Sequence, residues 1–174
     1  MSRTKVLITV LVLLVTVIYL RYYLTYKDDY NILQTYLDRV DINVIYEKYP
    51  VVIYDRVKDP SQLLKTLFAY SYVFQRGPTA IPSNRLITNK SKYVILHSGT
   101  NDAEIHVLNP KYAQAINNKE SLADIAPEAN AQYVTIKLRA NQVLILPCHW
   151  IYQASEPIQS IRLDDVLSAI VSFF

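Results

Sequence analysis

Glycine and cysteine are almost missing from this chain of 174 residues. Its two glycines, Gly77 and Gly99, stand far apart. That excludes every glycine-rich phosphate loop, because such loops need several close glycines to bring backbone amides onto an anion. The single cysteine, Cys148, excludes an intramolecular disulfide and a cysteine-rich zinc site. A strong charge of either sign is also missing, with Lys plus Arg at 18, Asp plus Glu at 15 and a formal net charge of +3. Four of the bases, Arg3, Lys5, Arg21 and Lys27, lie in residues 1–27 beside no acid, which leaves 14 bases against 15 acids in the remainder. The body is therefore near neutral, and no nucleic-acid partner is expected. The length suits one domain with a substantial core.

What is present first is a run of fifteen uncharged residues, Val6 to Leu20. A membrane span needs ~20 apolar residues, and an arginine near a helix end can snorkel, so Arg21 does not end the apolar stretch. Val6, Leu7, Leu11, Leu13, Leu14, Val17, Leu20, Tyr22 and Tyr23 are the expected anchor residues, with the tyrosines placed for an interfacial belt. A cleaved signal peptide would need small residues after the run, where Tyr19, Leu20, Arg21 and Tyr22 are all bulky. Positive charges flank both ends, so they do not decide the sidedness. Tyr26, Tyr30, Leu33, Tyr36 and Leu37 then recur at helical spacing, which predicts an amphipathic stalk over 28–41 whose stripe packs on the domain or on a neighbouring chain.

Residues 42–174 read as one mainly β domain with one or two short helices. Strands are expected at Ile42 to Tyr46, Val51 to Tyr54, Tyr93 to His97, Ala103 to Leu108, Tyr133 to Leu138, Val143 to Leu146, Ile151 to Gln153 and Ile158 to Leu163. Asp59-Pro60-Ser61-Gln62 opens a helix running to about Tyr72, and Gly77-Pro78 marks a loop. Many short strands separated by turn signals predict a β-sandwich or barrel.

The segment Leu138-Arg139-Ala140-Asn141-Gln142-Val143-Leu144-Ile145-Leu146-Pro147-Cys148-His149-Trp150-Ile151-Tyr152 resembles the second motif of the cupin superfamily, closest to its cupin-like and JmjC-type oxygenase branch. Asn141 stands at the turn glycine, Pro147 at the proline, Trp150 at the first tryptophan and Tyr152 at the metal-binding histidine. The resemblance implies a jelly-roll or cupin-like domain following the anchor. Its enzymes hold Fe(II) with two histidines and a carboxylate. No His-x-Asp or His-x-Glu pair occurs here, and the only set to be imagined is Glu104, His106 and His149. Cys148 beside His149 does not make a nucleophile pair, since neighbours on a strand point apart. The expectation is therefore a domain with no cofactor, no metal and no small-molecule substrate.

The chain thus reads as a non-enzymatic structural protein joining a lipid bilayer to other structural proteins. In type it is similar to membrane-anchored minor capsid or virion proteins of large icosahedral DNA viruses, which implies capsid-protein partners and an internal virion membrane. A membrane-anchored Fe(II)/2-oxoglutarate-type oxygenase and a cellular membrane adaptor or binding ectodomain are the alternatives. The sequon Asn89-Lys90-Ser91 matters only if the domain enters a secretory lumen.

Overall fold

The structure, a computed structural model, describes residues 3–27, 29–40, 42–69, 73–116, 121–122 and 132–171. It opens with helix α1 (Arg3–Leu24), whose segment Arg3–Arg21 is long and apolar enough to cross a membrane. The side chains from Val6 to Leu20 are exposed around the whole helix, as expected of a span and not of a soluble core helix. The Thr9 and Thr16 hydroxyls donate to Lys5 O and Val12 O at 2.9 and 2.8 Å, which removes two polar groups from the surrounding medium.

No helical stalk follows. The chain forms strand β1 (Leu33–Thr35), a 3-10 turn (Leu37–Arg39), helix α2 (Ile42–Tyr46) and strand β2 (Val51–Ile53). β1 pairs in parallel with β2, Leu33 opposite Val51. A parallel pair needs a crossover, and α2 occupies it, which is why the β-branched run Ile42 to Tyr46 is helical where a strand is expected. Helix α3 (Gln62–Leu67) begins where expected, with the Asp59 carboxylate accepting from the Ser61 amide at 3.0 Å, and ends before Tyr72, which lies outside the described residues. Strand β3 (Phe74–Ile81) runs through Gly77-Pro78, the expected loop. It is an edge strand, where a proline costs no ladder hydrogen bond, and at Gly77 (φ +100°) a Cβ would lie 3.1 Å from Ser160 O of the neighbouring strand.

The remaining strands are β4 (Leu86–Thr88), β5 (Tyr93–His97), β6 (Ala103–Leu108), β7 (Tyr133–Leu138), β8 (Val143–Pro147), β9 (Ile151–Ala154) and β10 (Ile158–Asp164), followed by helix α4 (Val166–Val171). A 3-10 segment, Pro110–Ile116, follows β6.

Two sheets result, ordered β1-β2-β8-β5-β10-β3 and β4-β9-β6-β7. The larger is mixed, because of the parallel β1–β2 pair, and the smaller is antiparallel. Alternate residues sort the core into layers. Val52, Val94, Leu96, Leu144 and Leu146 meet Ile105, Val107, Ile136, Leu138 and Tyr152 of the smaller sheet. Val51, Ile53, Tyr93, Ile95, Val143 and Ile145 face the other way, onto Ile45, Leu63, Leu67 and Phe68 from the helices. The central strands of the larger sheet, β2, β8, β5 and β10, are thus buried on both faces, in a helix–sheet–sheet stack, while edge strand β3 is exposed.

This corrects the expected fold class. The domain is mixed α/β and not mainly β, and neither sheet curls or closes: β1, β3, β4 and β7 are free edges. A jelly-roll or cupin/JmjC barrel needs strands that tilt and close on one another, so the cupin resemblance fails at the level of architecture. The likeness to minor capsid and virion proteins rests on that jelly roll and falls with it. Asn141 does take the left-handed turn conformation (φ +64°) in the β7–β8 connection, as its residue type suggests, but that is a property of a tight turn and not of a superfamily.

Candidate functional site at the anchor–domain junction

The most concentrated polar structure lies where α1 meets the domain. Tyr19 and Tyr23, one turn apart near the end of the helix, both reach Asp165, which follows β10 and precedes α4. Tyr23 Oη donates to Asp165 Oδ1 at 2.5 Å and Tyr19 Oη to Oδ2 at 3.2 Å. The Ser168 amide donates to Oδ1 at 2.8 Å, and Lys92 Nζ pairs with Oδ2 at 3.1 Å. Four donors thus fill the acceptor sites of one carboxylate. Asp165 and Ser168 also exchange backbone and side-chain bonds, with the Asp165 amide donating to Ser168 Oγ at 2.8 Å, in the manner of a capping box at the start of α4. Lys92 donates to Tyr19 Oη at 3.2 Å and lies 5.4 Å above the Tyr19 ring. Tyr23, Lys92 and Asp165 are all buried. Burial alone would raise the Asp165 carboxyl, but the bonds from Tyr23, Ser168 and Lys92 outweigh it and hold the group below the usual carboxylate range.

The domain also holds the last turn of α1 and the residues just after it. His149 Nε2 donates to Tyr23 O, Lys48 Nζ to Thr25 O at 2.6 Å, and Asn109 Nδ2 to Lys27 O at 2.8 Å. A helix leaves its last carbonyls unpaired and carries partial negative charge there, so an amine and an imidazole N–H are fitting partners. His149 (φ +72°) and Lys48 (φ +65°) both adopt the left-handed conformation, an unfavourable one for these residue types. Two of the four such non-glycine residues among the described residues therefore lie at the junction, where the contacts to α1 oppose the local preference.

Burial pushes the Lys48 ammonium down to about 8. A free lysine titrates near ~10.4, so between these values the unfolded chain holds a proton that the folded one lacks, and the group's contribution to stability improves as pH rises through that window. In urea unfolding, wild type is expected to gain stability relative to Lys48→Met between about pH 8 and about pH 10. An unchanged difference between the two proteins across that range would refute the assignment.

The anchor residues predicted from sequence fall on α1, but with two different roles. Val6, Leu7, Leu11, Leu13, Leu14, Val17 and Leu20 are exposed, whereas Tyr23 is a buried dock, and the side chain of Tyr22 lies outside the described residues. The tyrosines of the expected stalk disperse. Tyr30 packs edge-on to Trp150, with ring centroids 6.3 Å apart, Leu33 and Leu37 join the helix-side core, Tyr36 pairs with Tyr54, and Tyr26 is exposed. Trp150 and Tyr152 are core residues of the inter-sheet layer, and burial raises the Tyr152 hydroxyl to about 12. Pro147 ends β8.

The imagined metal set is not assembled. Glu104 and His106 share the outer face of β6, where His106 bonds Thr135 at 3.0 Å and Ser155 at 3.4 Å, while His149 caps α1 from the β8–β9 turn. No group of three metal-ligating side chains occurs among the described residues. Cys148 is buried, which pushes its thiol up to about 12 and makes it a poor nucleophile. Asn89 of the sequon is buried, its Nδ2 donating to Leu146 O and Pro147 O at 3.0 and 2.8 Å, so a glycan there is incompatible with this fold. Asp165, Lys92 and Lys48 were not among the predicted site residues. The only hint for them in the sequence is that charged residues interrupt otherwise apolar segments.

At the opposite end of the sheets lies a cleft of about 810 Å³ whose lining includes Tyr36, Tyr54, Glu104, Lys137, Arg139 and Glu156. The Tyr36 and Tyr54 rings meet at its rim, tilted to one another with centroids 5.9 Å apart, and both are exposed. Comparison with known proteins finds no protein family and no curated protein that matches the chain.

Proposed function

We propose that this chain is a single-pass membrane protein that holds a non-enzymatic interaction domain at fixed height and orientation on a bilayer, as a mount for other structural proteins. The observation that carries the reading is the clamp on α1. A span tethered by a flexible linker would leave the domain free to tumble, whereas here Asp165 and Lys92 grip the helix from the side, and His149, Lys48 and Asn109 close its end. The residues best suited to chemistry serve structure instead. His149 caps the helix, His97 bonds Val57 O at 2.7 Å, His106 bridges two hydroxyls, and Cys148 is sealed in the core. The cleft at the far end, with its exposed tyrosines and both signs of charge, has the composition of a protein-binding face.

The test is fractionation of the full chain from its native membranes. The protein is expected to stay with the lipid through high-salt washing, to leave it only with detergent, and to migrate in mild detergent with a stoichiometric protein partner. Recovery in the salt wash would remove the membrane role, and recovery from detergent as a lone chain would remove the mounting role.

A further inference from the structure

The uncharged run of α1 is too short to cross a bilayer while the domain stands clear of it. The clamp begins at Tyr19, so the freely exposed part of the run extends from Val6 to Ile18, about 20 Å at ~1.5 Å per residue, against ~30 Å of hydrocarbon. Snorkelling of Arg3 and Lys5 adds about a turn at the other end. The remaining shortfall is met if the clamped end of the domain sits within the headgroup layer.

That end is built for such a position. Five large apolar side chains of the domain and its junction, Tyr26, Tyr46, Phe74, Tyr133 and Val166, are 42 to 72 % exposed. All are tied to the anchor's exit. Phe74 pairs with Asp164 and Val166 follows Asp165, the clamp carboxylate. Tyr133 pairs with Leu108, next to Asn109, which caps Lys27 O. Tyr46 lies two residues before Lys48, and Tyr26 follows the capped Thr25. The charges exposed among them are Arg21, Lys27, Lys90 and Lys111, with Arg76 paired to Asp164, against Asp29 and Glu47 among the described residues. Aromatic rings with interspersed lysines and arginines are what an interface between water and hydrocarbon favours.

We infer that the anchor-side end of the domain, through Tyr26, Tyr46, Phe74, Tyr133 and Val166, is a second membrane-contact surface that rests in the lipid headgroup layer around the exit of α1. The inference depends on the reading of α1 as a membrane span, and the experiment separates the two. Single cysteines replace Phe74, Tyr133, Val166, Thr100 at the far end, and Leu13 within the span, each in the full chain carrying Cys148→Ala. Each variant is spin-labelled and reconstituted into vesicles of phosphatidylcholine and phosphatidylserine. Labels at positions 74, 133 and 166 are expected to be relaxed more by oxygen than by a water-soluble nickel chelate, and the label at 100 the reverse. If those three behave like position 100 while position 13 remains oxygen-rich, the domain stands clear of the lipid and the inference is wrong although the anchor stands. If position 13 is open to the nickel chelate, the span itself is refuted.

Discussion

Replacing Asp165 by alanine in the full chain is expected to lower its stability by about 3–5 kcal/mol, because the change breaks a buried ion pair by removing its carboxylate from the Lys92 ammonium. The same change removes the acceptor of Tyr23, Tyr19 and the Ser168 amide at once, so the clamp on α1 and the start of α4 loosen together. Denaturant unfolding in detergent measures the loss, and a spin label at Thr100 reports the freed domain as faster motion relative to the anchor. The double variant Asp165→Leu with Lys92→Met is expected to recover much of the stability, since a buried ion pair replaced on both sides by apolar groups of similar size is often neutral. It leaves the helix without its polar grip, so domain motion remains fast. A single variant with wild-type stability would show that the pair does not hold the junction.

The same carboxylate sets the acid limit. An unfolded aspartate titrates near ~3.9, and the folded Asp165 lies below the usual range. Its contribution to stability is full above the unfolded value and is lost as pH falls through the lower folded one. Wild type is therefore expected to loosen at the junction in strong acid, below about pH 4, while Asp165→Asn shows a flatter profile over that window.

Trp150→Ala is the second large expected effect, again about 3–5 kcal/mol. The indole is fully buried between the sheets, donates from Nε1 to Lys48 O at 3.2 Å, and meets the Tyr30 ring edge to face. Its removal opens a cavity and takes a donor from the backbone carbonyl of Lys48, the residue whose amine bonds Thr25 O, so it couples core packing to the junction. Trp150→Phe keeps most of the apolar volume and loses the indole donor, and a loss of about 1–2 kcal/mol is expected for it. Urea unfolding of the three proteins separates the contributions. Equal losses for alanine and phenylalanine would mean that the hydrogen bond dominates and the packing argument is wrong.

Much of the architecture is legible locally. Alternation places the strands from Tyr93 onward within a residue or two, because one strand face or both must be apolar and the intervening turns carry Asn, Gly and Asp. The left-handed turn at Asn141 and the start of α3 at Asp59 are local as well, being set by side chains that bond their own backbone or tolerate the turn. The failures all involve partners distant in sequence. Ile42–Tyr46 has the composition of a strand and becomes a crossover helix because β1 pairs in parallel with β2. The tyrosine stripe after α1 has helical spacing, yet Tyr30 is drawn to Trp150 and Leu33 pairs with Val51. Sheet closure, on which the cupin and jelly-roll reading depended, is a matter of which strands pair at the edges, and no local pattern encodes it.

The sequence by itself determined the unusually apolar first helix, the near-neutral body, and the absence of a disulfide or glycine-rich phosphate loop, since each follows from composition or from contiguous residues. Only the tertiary structure decided what the first helix is attached to. Tyr19 and Tyr23 are separated from Lys92 and Asp165 by some 70 to 146 positions, with the longest bonded separation of 146 running from Tyr19 to Asp165. Burial of a charge is tolerable only when its counter-charge and donors arrive from elsewhere in the chain. That requirement is met by folding and cannot be read from any one segment.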